Sequence, residues 1–282
     1  MIKEQQPAHP ERTEAGKGRK LTIVKVGGAV VEDEAQLKQL LADFIGIDGA
    51  KILVHGGGRR ATKVAAQLGI ETKMVEGRRI TDAAMLEVVT MVYGGLVNKH
   101  VVASLQALGA DAVGLTGADA DIIRSAKRPP VVVATQPSPV TVDFGFVGDV
   151  KQANGAKIAH FIDAGLIPVI APLTHDGQGN ILNTNADTMA SETAKAMAAE
   201  GYDVTLVFAF EKPGVLAAPD DDSSVIASIT RDDYQRLKAD GTISGGMLPK
   251  IDNALAAINA GVRRVVITSA KAIGGQDGTV IS

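Results

Sequence analysis

The chain contains no cysteine and no tryptophan, and aromatic residues make up only 3% of its 282 residues. Without cysteine, the protein can form no disulfide, no cysteine-ligated metal site and no thiol nucleophile. Hydrophobic residues nevertheless account for 45% of the sequence. The core must therefore consist mainly of valine, isoleucine, leucine and alanine. This composition is typical of parallel strands covered by helices on both faces.

The chain also lacks a strong excess of charge of one sign. Its formal net charge is −3, and lysine and arginine are dispersed along the sequence. Because there is no basic stripe, nothing indicates a nucleic-acid surface. No apolar run is expected to reach the length of a membrane span, and the first residues lack the apolar segment of a signal peptide. We therefore expect a cytoplasmic protein with neither nucleic acid nor membrane as a partner.

The length of 282 residues favours two lobes, each large enough to bury a core. Residues 1–19 are polar and contain prolines, so they are predicted to form a disordered tail. A turn-like sequence at 175–180 (HDGQGN) suggests that the second lobe begins near Thr174. The predicted lobes are therefore 20–173 and 174–282.

From Leu21 onward, apolar strand-like runs alternate with helical patterns, which predicts an α/β fold. The predicted strands are 21–26, 51–54, 112–115, 167–171, 203–208 and 263–267. The predicted helices are 33–45, 59–68, 83–108, 154–164, 186–199, 231–239 and 249–260. A hairpin is expected at 71–80. Prolines interrupt short β-rich pieces between Arg124 and Val150, which favours antiparallel hairpins added to the main sheet.

Two apolar runs end in glycine clusters, at 21–28 (LTIVKVGG) and 51–58 (KILVHGGG). Each pattern indicates a buried strand that ends in a turn of bare backbone. Glycines there allow main-chain N–H groups to approach a phosphate closely. Lys25 adds a positive charge beside the first turn. The pair of runs predicts phosphoryl chemistry at the C-terminal ends of strands.

Other interpretations of these motifs remain open from the residues alone. The P-loop sequence G-x-x-x-x-G-K-[ST] is absent, but residues 56–61 fit a dinucleotide fingerprint with Glu76 twenty positions on. Both glycine clusters could also be plain tight turns. In the sequence 183–187 (NTNAD), Asn185 could cap a helix and Asp187 could complement its dipole. Lys250 could be a surface lysine in a first helical turn, and Arg79 could be solvated.

Five motifs, taken together and in order, resemble the amino acid kinase family. They are residues 25–28 (KVGG), 55–58 (HGGG), 77–81 (GRRIT), 183–187 (NTNAD) and 246–250 (GMLPK). The third and fourth point to the branch that phosphorylates N-acyl-L-glutamate. The resemblance covers essentially all of the chain from 21 to 282. It implies a three-layer αβα sandwich with a mainly parallel central sheet and two lobes.

The resemblance implies transfer of phosphate from ATP to the γ-carboxylate of N-acetyl-L-glutamate, in arginine or ornithine biosynthesis. That carboxylate is ionised at neutral pH, so its attack on ATP needs no general base. By resemblance, Lys25 and Lys250 flank the transferred group and Asp187 holds both lysines. Residues 20–173 are then expected to bind the acyl-glutamate and 174–282 to bind ATP. The implied substrate-binding residues are Gly57, Gly58, Arg79 and Asn183, with Arg79 reading the α-carboxylate.

The nucleotide site is likewise implied by resemblance. The residues expected to contact ATP are Gly27, Gly28, Glu211, Lys212, Gly214, Val215, Leu216, Ile243 and Ser244. The family usually carries aspartate where this chain has Glu211. Mg²⁺ is expected to be held mainly by ATP oxygens and water, without a protein metal site. Residues 143–149 form either a glycine-containing turn or a wall of the acyl pocket.

Two alternative functions and one assembly prediction accompany this interpretation. The acceptor could be another N-acyl-glutamate, such as N-succinyl-L-glutamate, or the fold could serve a non-catalytic sensor. Retention of both lysines and of Asp187 argues against a sensor. The apolar stretch 83–108, with Gly94 and Gly95 in its middle, predicts a homodimer through close helix contact. The alternative is that this helix is wholly internal.

Overall fold

A computed structural model describes residues 17–133, 138–218, 220–274 and 277–282. Most of the predicted tail, residues 1–16, lies outside this range. Its last residues are attached to the folded chain. The Gly18 N–H donates to the Gly201 carbonyl at 2.9 Å, and Arg19 Nη1 pairs with Asp163 Oδ1 at 2.7 Å. Gly18 and Arg19, which the sequence placed in the tail, are therefore held against the folded chain.

An eight-stranded sheet runs through both halves of the chain, in the order β14-β16-β15-β13-β1-β2-β10-β5. Only the β15–β16 pair is antiparallel, as the family resemblance implied for a mainly parallel sheet. The strands are β1 (Lys20–Val26), β2 (Ala50–His55), β5 (Ala112–Leu115), β10 (Ile167–Ile170), β13 (Asp203–Phe210), β14 (Ser228–Ile229), β15 (Arg264–Ser269) and β16 (Thr279–Ile281).

Helices cover both faces of this sheet, which gives the three predicted layers. The helices are α1 (Gly28–Glu32), α2 (Glu34–Ile45), α3 (Gly58–Gln67), α4 (Ala83–Val89), α5 (Asn98–Ala107), α6 (Gly155–Asp163), α7 (Ala186–Ala199), α8 (Arg231–Ala239) and α9 (Leu248–Asn259). Side chains alternate along β1, so that Ile23 joins the core beneath α6–α9 and Val24 joins the core beneath α1–α5. Each face therefore has its own apolar core.

The hairpins between Arg124 and Val150 do not extend the main sheet, and that prediction is wrong. They belong to a separate four-stranded sheet, ordered β12-β11-β6-β9, and to one small hairpin, β7–β8, while a second small hairpin, β3–β4, lies earlier in the chain. The chain leaves the main sheet after β10 at Pro172, which has no N–H to donate. The strands involved are β3 (Met74–Val75), β4 (Arg78–Arg79), β6 (Ile123–Lys127), β7 (Val131–Val133), β8 (Val140–Val142), β9 (Gly148–Ala153), β11 (Leu173–His175) and β12 (Ile181–Asn183). The predicted turn at 175–180 joins β11 to β12.

The long apolar helix predicted at 83–108 is present, but its middle turn, Thr90–Val97, is a π-helix between α4 and α5. A π turn holds an extra residue and so shifts the following side chains around the axis. Leu96 is 48% exposed for this reason, whereas Val92 and Val101 are buried.

The same helix also contradicts the expectation that no apolar run reaches the length of a membrane span. Within the described residues, Ala83–Ala107 is long and apolar enough to cross a membrane by length and composition alone. Its side chains Met85, Val88 and Leu105 are buried within the protein's own core. That packing is typical of the core helix of a globular fold.

The turn at Gly145 gives a test of this architecture. Gly145 has φ +72°, and a Cβ built there would lie 2.2 Å from the Thr81 carbonyl oxygen. Gly69 has the same φ of +72° but open space around it. The left-handed conformation alone costs alanine about 1–2 kcal/mol. We expect Gly145→Ala to lower the free energy of unfolding by about 1–3 kcal/mol more than Gly69→Ala, because only it also overpacks. Urea denaturation measures both variants, and equal losses would contradict the placement of this turn.

Candidate active site

The two glycine turns lie side by side at the C-terminal edge of the main sheet. β1 and β2 are parallel neighbours, with Val26 opposite His55. The Gly56 N–H donates to the Val26 carbonyl at 2.9 Å, and a Cβ at Gly56 would lie 3.0 Å from the Gly28 nitrogen. The turns lead directly into α1 and α3, whose first N–H groups lack helical partners. Close packing of backbone therefore makes one cradle from two separate sequence motifs.

The dinucleotide interpretation of the second turn is not supported. That fingerprint needs its acidic residue at the end of a second parallel strand. Glu76 instead lies in the tight turn between β3 and β4, with φ +48°. The predicted hairpin at 71–80 is confirmed by this pairing.

Lys25, Asp187 and Lys250 meet beside the cradle. Lys25 Nζ lies 2.7 Å from Asp187 Oδ1, and Lys250 Nζ lies 3.5 Å from Asp187 Oδ2. The three residues come from the end of β1, the first turn of α7 and the first turn of α9. Asn185 caps α7 by accepting from the Thr188 N–H at 3.0 Å, as the structural interpretation of that motif predicted. The Lys250 side chain is only 25% exposed, so it is not an ordinary surface lysine.

The charges of this trio are tightly coupled. Burial raises the pKa of Asp187, but the ammonium groups of Lys25 and Lys250 outweigh it and hold that pKa below its usual value. Burial lowers the pKa of Lys250, while Asp187 opposes the shift. Asp187 is therefore an ionised, paired carboxylate and is poorly suited to accept a proton at neutral pH.

Phe210, which the sequence interpretation did not select, lies against both lysines. The centroid of its ring is 3.6 Å from Lys250 Nζ and 5.1 Å from Lys25 Nζ. The residue ends β13, the strand that pairs with β1 and brings Phe208 opposite Lys25. In the sequence Phe210 looks like the last apolar residue of a buried strand, so the only signal was its place just before Glu211.

A cavity of about 210 Å³ adjoins the glycine turns. It is lined by all four predicted substrate-binding residues, Gly57, Gly58, Arg79 and Asn183. Arg79 is 8% exposed, so the alternative of a solvated arginine is wrong. Its Nη2 donates to the Gly58 carbonyl and to Thr62 Oγ1, both at 2.9 Å. Asn183 Nδ2 donates to Thr81 Oγ1 at 2.9 Å, and Val147, from the predicted 143–149 segment, also lines the cavity.

Tyr93 is a second residue that the sequence interpretation missed. It lies in the π-helical turn, is 5% exposed and lines the same cavity. A Cβ at Gly57 would lie 2.8 Å from its ring, so glycine is required there. Burial raises the pKa of Tyr93, and the neighbouring Arg79 guanidinium, which donates to its hydroxyl group, opposes that shift. π turns are frequent at functional sites, but their position is not readable from apolar periodicity.

The predicted nucleotide residues, including Gly27 and Gly28 of the cradle, do not line this cavity. Those from 211 to 216 follow β13, and Ile243 and Ser244 precede α9. Val215 and Ile243 are buried in the core, and their N–H groups already donate to Thr279 Oγ1 and to the Leu237 carbonyl. Glu211 Oε1 pairs with Arg59 Nη2 at 3.0 Å, and Lys212 Nζ pairs with Asp222 Oδ1 at 2.8 Å. Gly214 packs closely, because a Cβ there would lie 2.8 Å from Val225. Their contacts with a nucleotide stay predictions.

Within the described part of the chain, no group of three or more histidine or acidic side chains is arranged to hold a metal ion. The carboxylate beside the cradle, Asp187, is already paired with two ammonium groups. Such a donor set does not resemble a resident divalent-cation site.

A buried histidine, His55, is hydrogen-bonded to the backbone of the second glycine turn. His55 is wholly buried, and its Nδ1 lies 2.8 Å from the Gly56 carbonyl, to which it donates. Asn98 Nδ2 lies 3.2 Å from His55 Nε2 and 2.9 Å from the Val169 carbonyl, and donates to both. Burial lowers the pKa of His55 to about 4 and so keeps the imidazole neutral at pH 7, although the bond to the Gly56 carbonyl opposes that shift. The network fixes the strand end from which Gly56–Gly58 emerge.

The fold and the site define a kinase-like phosphotransferase, and the sequence comparisons agree. A sequence model of the amino acid kinase family matches residues 20–269, and the chain belongs to this family. It is 62% identical over 262 residues to acetylglutamate kinase of Bacteroides thetaiotaomicron, covering 93% of this chain and 98% of that relative. It is 60% identical over 262 residues to acetylglutamate kinase of Phocaeicola vulgatus, with coverage of 93% and 98%.

A solved structure from Streptococcus mutans UA159 is similar with a TM-score of 0.72 and 26% identity, covering 93% of this chain and 98% of that one. The family resemblance inferred from the five motifs is thereby confirmed, as is the mainly parallel αβα fold. The chain is a phosphotransferase.

His55 gives a pH test of the site's support. Its pKa is about 4 in the folded protein, against about 6.5 for an ordinary histidine. Between these values the unfolded chain binds more protons, so stability falls as the pH is lowered from about 6.5 to 4, by about 3 kcal/mol. We expect His55→Gln to flatten this part of a urea-denaturation pH series. His100→Gln, at an exposed position, serves as the control. An unchanged slope in His55→Gln would contradict the buried neutral imidazole.

Proposed function

We propose that the enzyme transfers the γ-phosphoryl group of ATP to the γ-carboxylate of N-acetyl-L-glutamate, giving N-acetyl-L-glutamyl 5-phosphate in arginine or ornithine biosynthesis. The observation that carries this proposal is the pairing of Lys25 and Lys250 with one carboxylate, Asp187, beside a cradle of glycine backbone. The activity of the two curated relatives, both acetylglutamate kinases at 60% identity or more, supports the choice of substrate.

Catalysis of this reaction requires that the site align the two substrates and neutralise their negative charge. The acceptor carboxylate is already ionised at neutral pH, so no proton has to be removed from it. Two anions must instead be brought together, and negative charge on the transferred group must be stabilised. In the proposed reaction Lys25 and Lys250 supply that stabilisation from two directions. Asp187 holds both ammonium groups and takes no proton.

The cavity beside the cradle is proposed to hold the acyl-glutamate. Arg79 would bind its α-carboxylate through the planar guanidinium, which its bonds to Gly58 and Thr62 already orient. Asn183 and the backbone of Gly57 and Gly58 would bind the rest of the molecule. Because these groups are held in place before any ligand arrives, little ordering is needed on binding.

The nucleotide is proposed to lie on the other side of the lysines. Gly27 and Gly28 would face its phosphates, and the two loops that carry the residues from 211 to 216 and from 243 to 244 would face the nucleoside. Mg²⁺ would be bound through ATP oxygens and water, because Asp187 is already occupied by the lysines. Apart from Gly27, Gly28 and Asn183, this division assigns acyl-glutamate and dimer contacts to 20–173 and ATP to 174–282.

The same proposal includes a homodimer in the cytoplasm, with no nucleic-acid or membrane partner. Met91 and Leu96, on the outer side of the long helix, are 54% and 48% exposed. Gly95 lies between them on this helix with open space around it. Exposed apolar side chains around a small residue suit close contact with a second copy of the same helix.

The first kinetic prediction concerns the two lysines. We expect Lys25→Ala and Lys250→Ala each to lower kcat about a hundredfold, with a much smaller effect on KM, because each acts on charge that develops in the transition state. The readout is the acyl phosphate trapped with hydroxylamine. Lys38→Ala, at an exposed position away from the site, should keep the wild-type rate.

The same assay, run on N-acetyl-, N-succinyl- and free glutamate, tests the reaction itself. A preference for the acetyl compound supports the proposal, and a preference for the succinyl compound would replace the acceptor. If the wild-type protein forms no acyl phosphate from any of the three, the proposed reaction is wrong. Near-normal turnover in either folded lysine variant would contradict the assigned roles.

The second kinetic prediction concerns Arg79. We expect Arg79→Ala to weaken acyl-glutamate binding by about ten- to a hundredfold, the usual cost of a hydrogen bond to a charged group, and to leave ATP binding nearly unchanged. Isothermal titration with each ligand measures both. Arg79→Lys keeps the charge but loses the planar fork, so it should recover only part of the affinity. Equal losses for both ligands would indicate a general collapse of the cavity.

A further inference from the structure

Phe210 occupies a fixed position at the end of β13. Its ring is stacked on that of Phe208, with the centroids 6.1 Å apart and the planes 11° from parallel. Phe208 is fully buried in the core beneath α6–α9. Two aromatic residues at i and i+2 on one strand point to the same face of the sheet. The strand and its core therefore set the position of the Phe210 ring.

Both lysines of the site lie within reach of that ring. Lys250 Nζ is 3.6 Å from the centroid and Lys25 Nζ is 5.1 Å from it. The face of an aromatic ring carries partial negative charge and attracts an ammonium group within about 6 Å. The attraction is larger where the cation is shielded from water, and the side chains of Lys25 and Lys250 are 9% and 25% exposed.

The negative face of the Phe210 ring partly compensates the positive charge that the two ion pairs leave in excess. Two ammonium groups share a single carboxylate, so the trio keeps an uncompensated positive charge. Lys25 has the shorter ion pair with Asp187, at 2.7 Å, and the longer distance to the ring. Lys250 has the longer ion pair, at 3.5 Å, and the shorter distance to the ring. Lys250 therefore depends on Phe210 more than Lys25 does.

We propose that Phe210 is a positioning residue for phosphoryl transfer, which holds the ammonium groups of Lys250 and Lys25 through the negative face of its ring. The inference rests on the proposed function. A lysine side chain has a flexible four-carbon stem, so without the ring Lys250 would leave its place for much of the time. The loss should appear in kcat, because the lysines act on the transition state, and much less in KM.

Ring fluorination tests the electrostatic part of this role without removing the ring. Site-specific replacement of Phe210 by mono-, di- and trifluorophenylalanine draws electron density from the face while leaving the shape nearly unchanged. We expect kcat to fall stepwise along the series, reaching about a tenfold loss, with the KM of both substrates nearly constant. Phe210→Leu, which keeps an apolar side chain but no ring, should lose at least as much.

The same fluorinated series at Phe44 is the matched control. Phe44 is fully buried in the other core, under α1–α5, and should give a flat series. A flat series at Phe210, a fully active Phe210→Leu, or an equal decline at both positions would overturn the inference while the wild-type enzyme remains active. A wild-type protein without acyl-phosphate formation would instead overturn the proposed reaction. The two failures are therefore distinguishable.

Discussion

The site depends on one carboxylate shared by two ammonium groups. Asp187 is held between Lys25 and Lys250, and the trio carries one positive charge in excess. Asp187 stands in the first turn of α7, where the helix dipole favours a negative charge. Lys250 stands in the first turn of α9, where the dipole disfavours a positive one. Burial adds to that cost and lowers the pKa of Lys250. The negative charge of an incoming phosphate would offset both costs, so the arrangement favours an anion at this point.

Strand register makes this arrangement possible. β13 and β2 flank β1 in parallel, which brings Phe208 and Val54 opposite Lys25. Side chains alternate along a strand, so Lys25 shares a face with Ile23 and points toward the layer that contains α7 and α9. The glycine turns that follow β1 and β2 therefore lie at the same edge of the sheet. A shift of one residue in β1 would turn Lys25 toward the opposite core and separate it from Asp187.

Local sequence predicted the elements well and predicted their partners poorly. Runs such as 21–26 and 112–115 gave strands within a residue of those observed, because buried parallel strands are marked by short apolar runs between turns. The separate sheet formed by β6, β9, β11 and β12 was missed, since its pairing joins segments far apart in the chain. The motifs predicted the trio of charged residues. Phe210 was missed because an aromatic ring at the end of an apolar run looks like ordinary core, and Tyr93 was missed because apolar periodicity does not reveal a π turn.

The proposed substrate and nucleotide ends of the site differ in the burial and hydrogen bonding of their side chains. At the proposed substrate end, Arg79 and Asn183 are each 8% exposed and already hydrogen-bonded to neighbouring groups. At the proposed nucleotide end, Glu211 pairs with Arg59, and both side chains are more than 60% exposed. Exposed ion pairs contribute little to stability, so ligand contacts can replace this one at small cost. Rearranging buried side chains that are already hydrogen-bonded costs more free energy. The geometry therefore favours a preformed acyl-glutamate pocket and an adaptable nucleotide edge, with the fixed lysines between them.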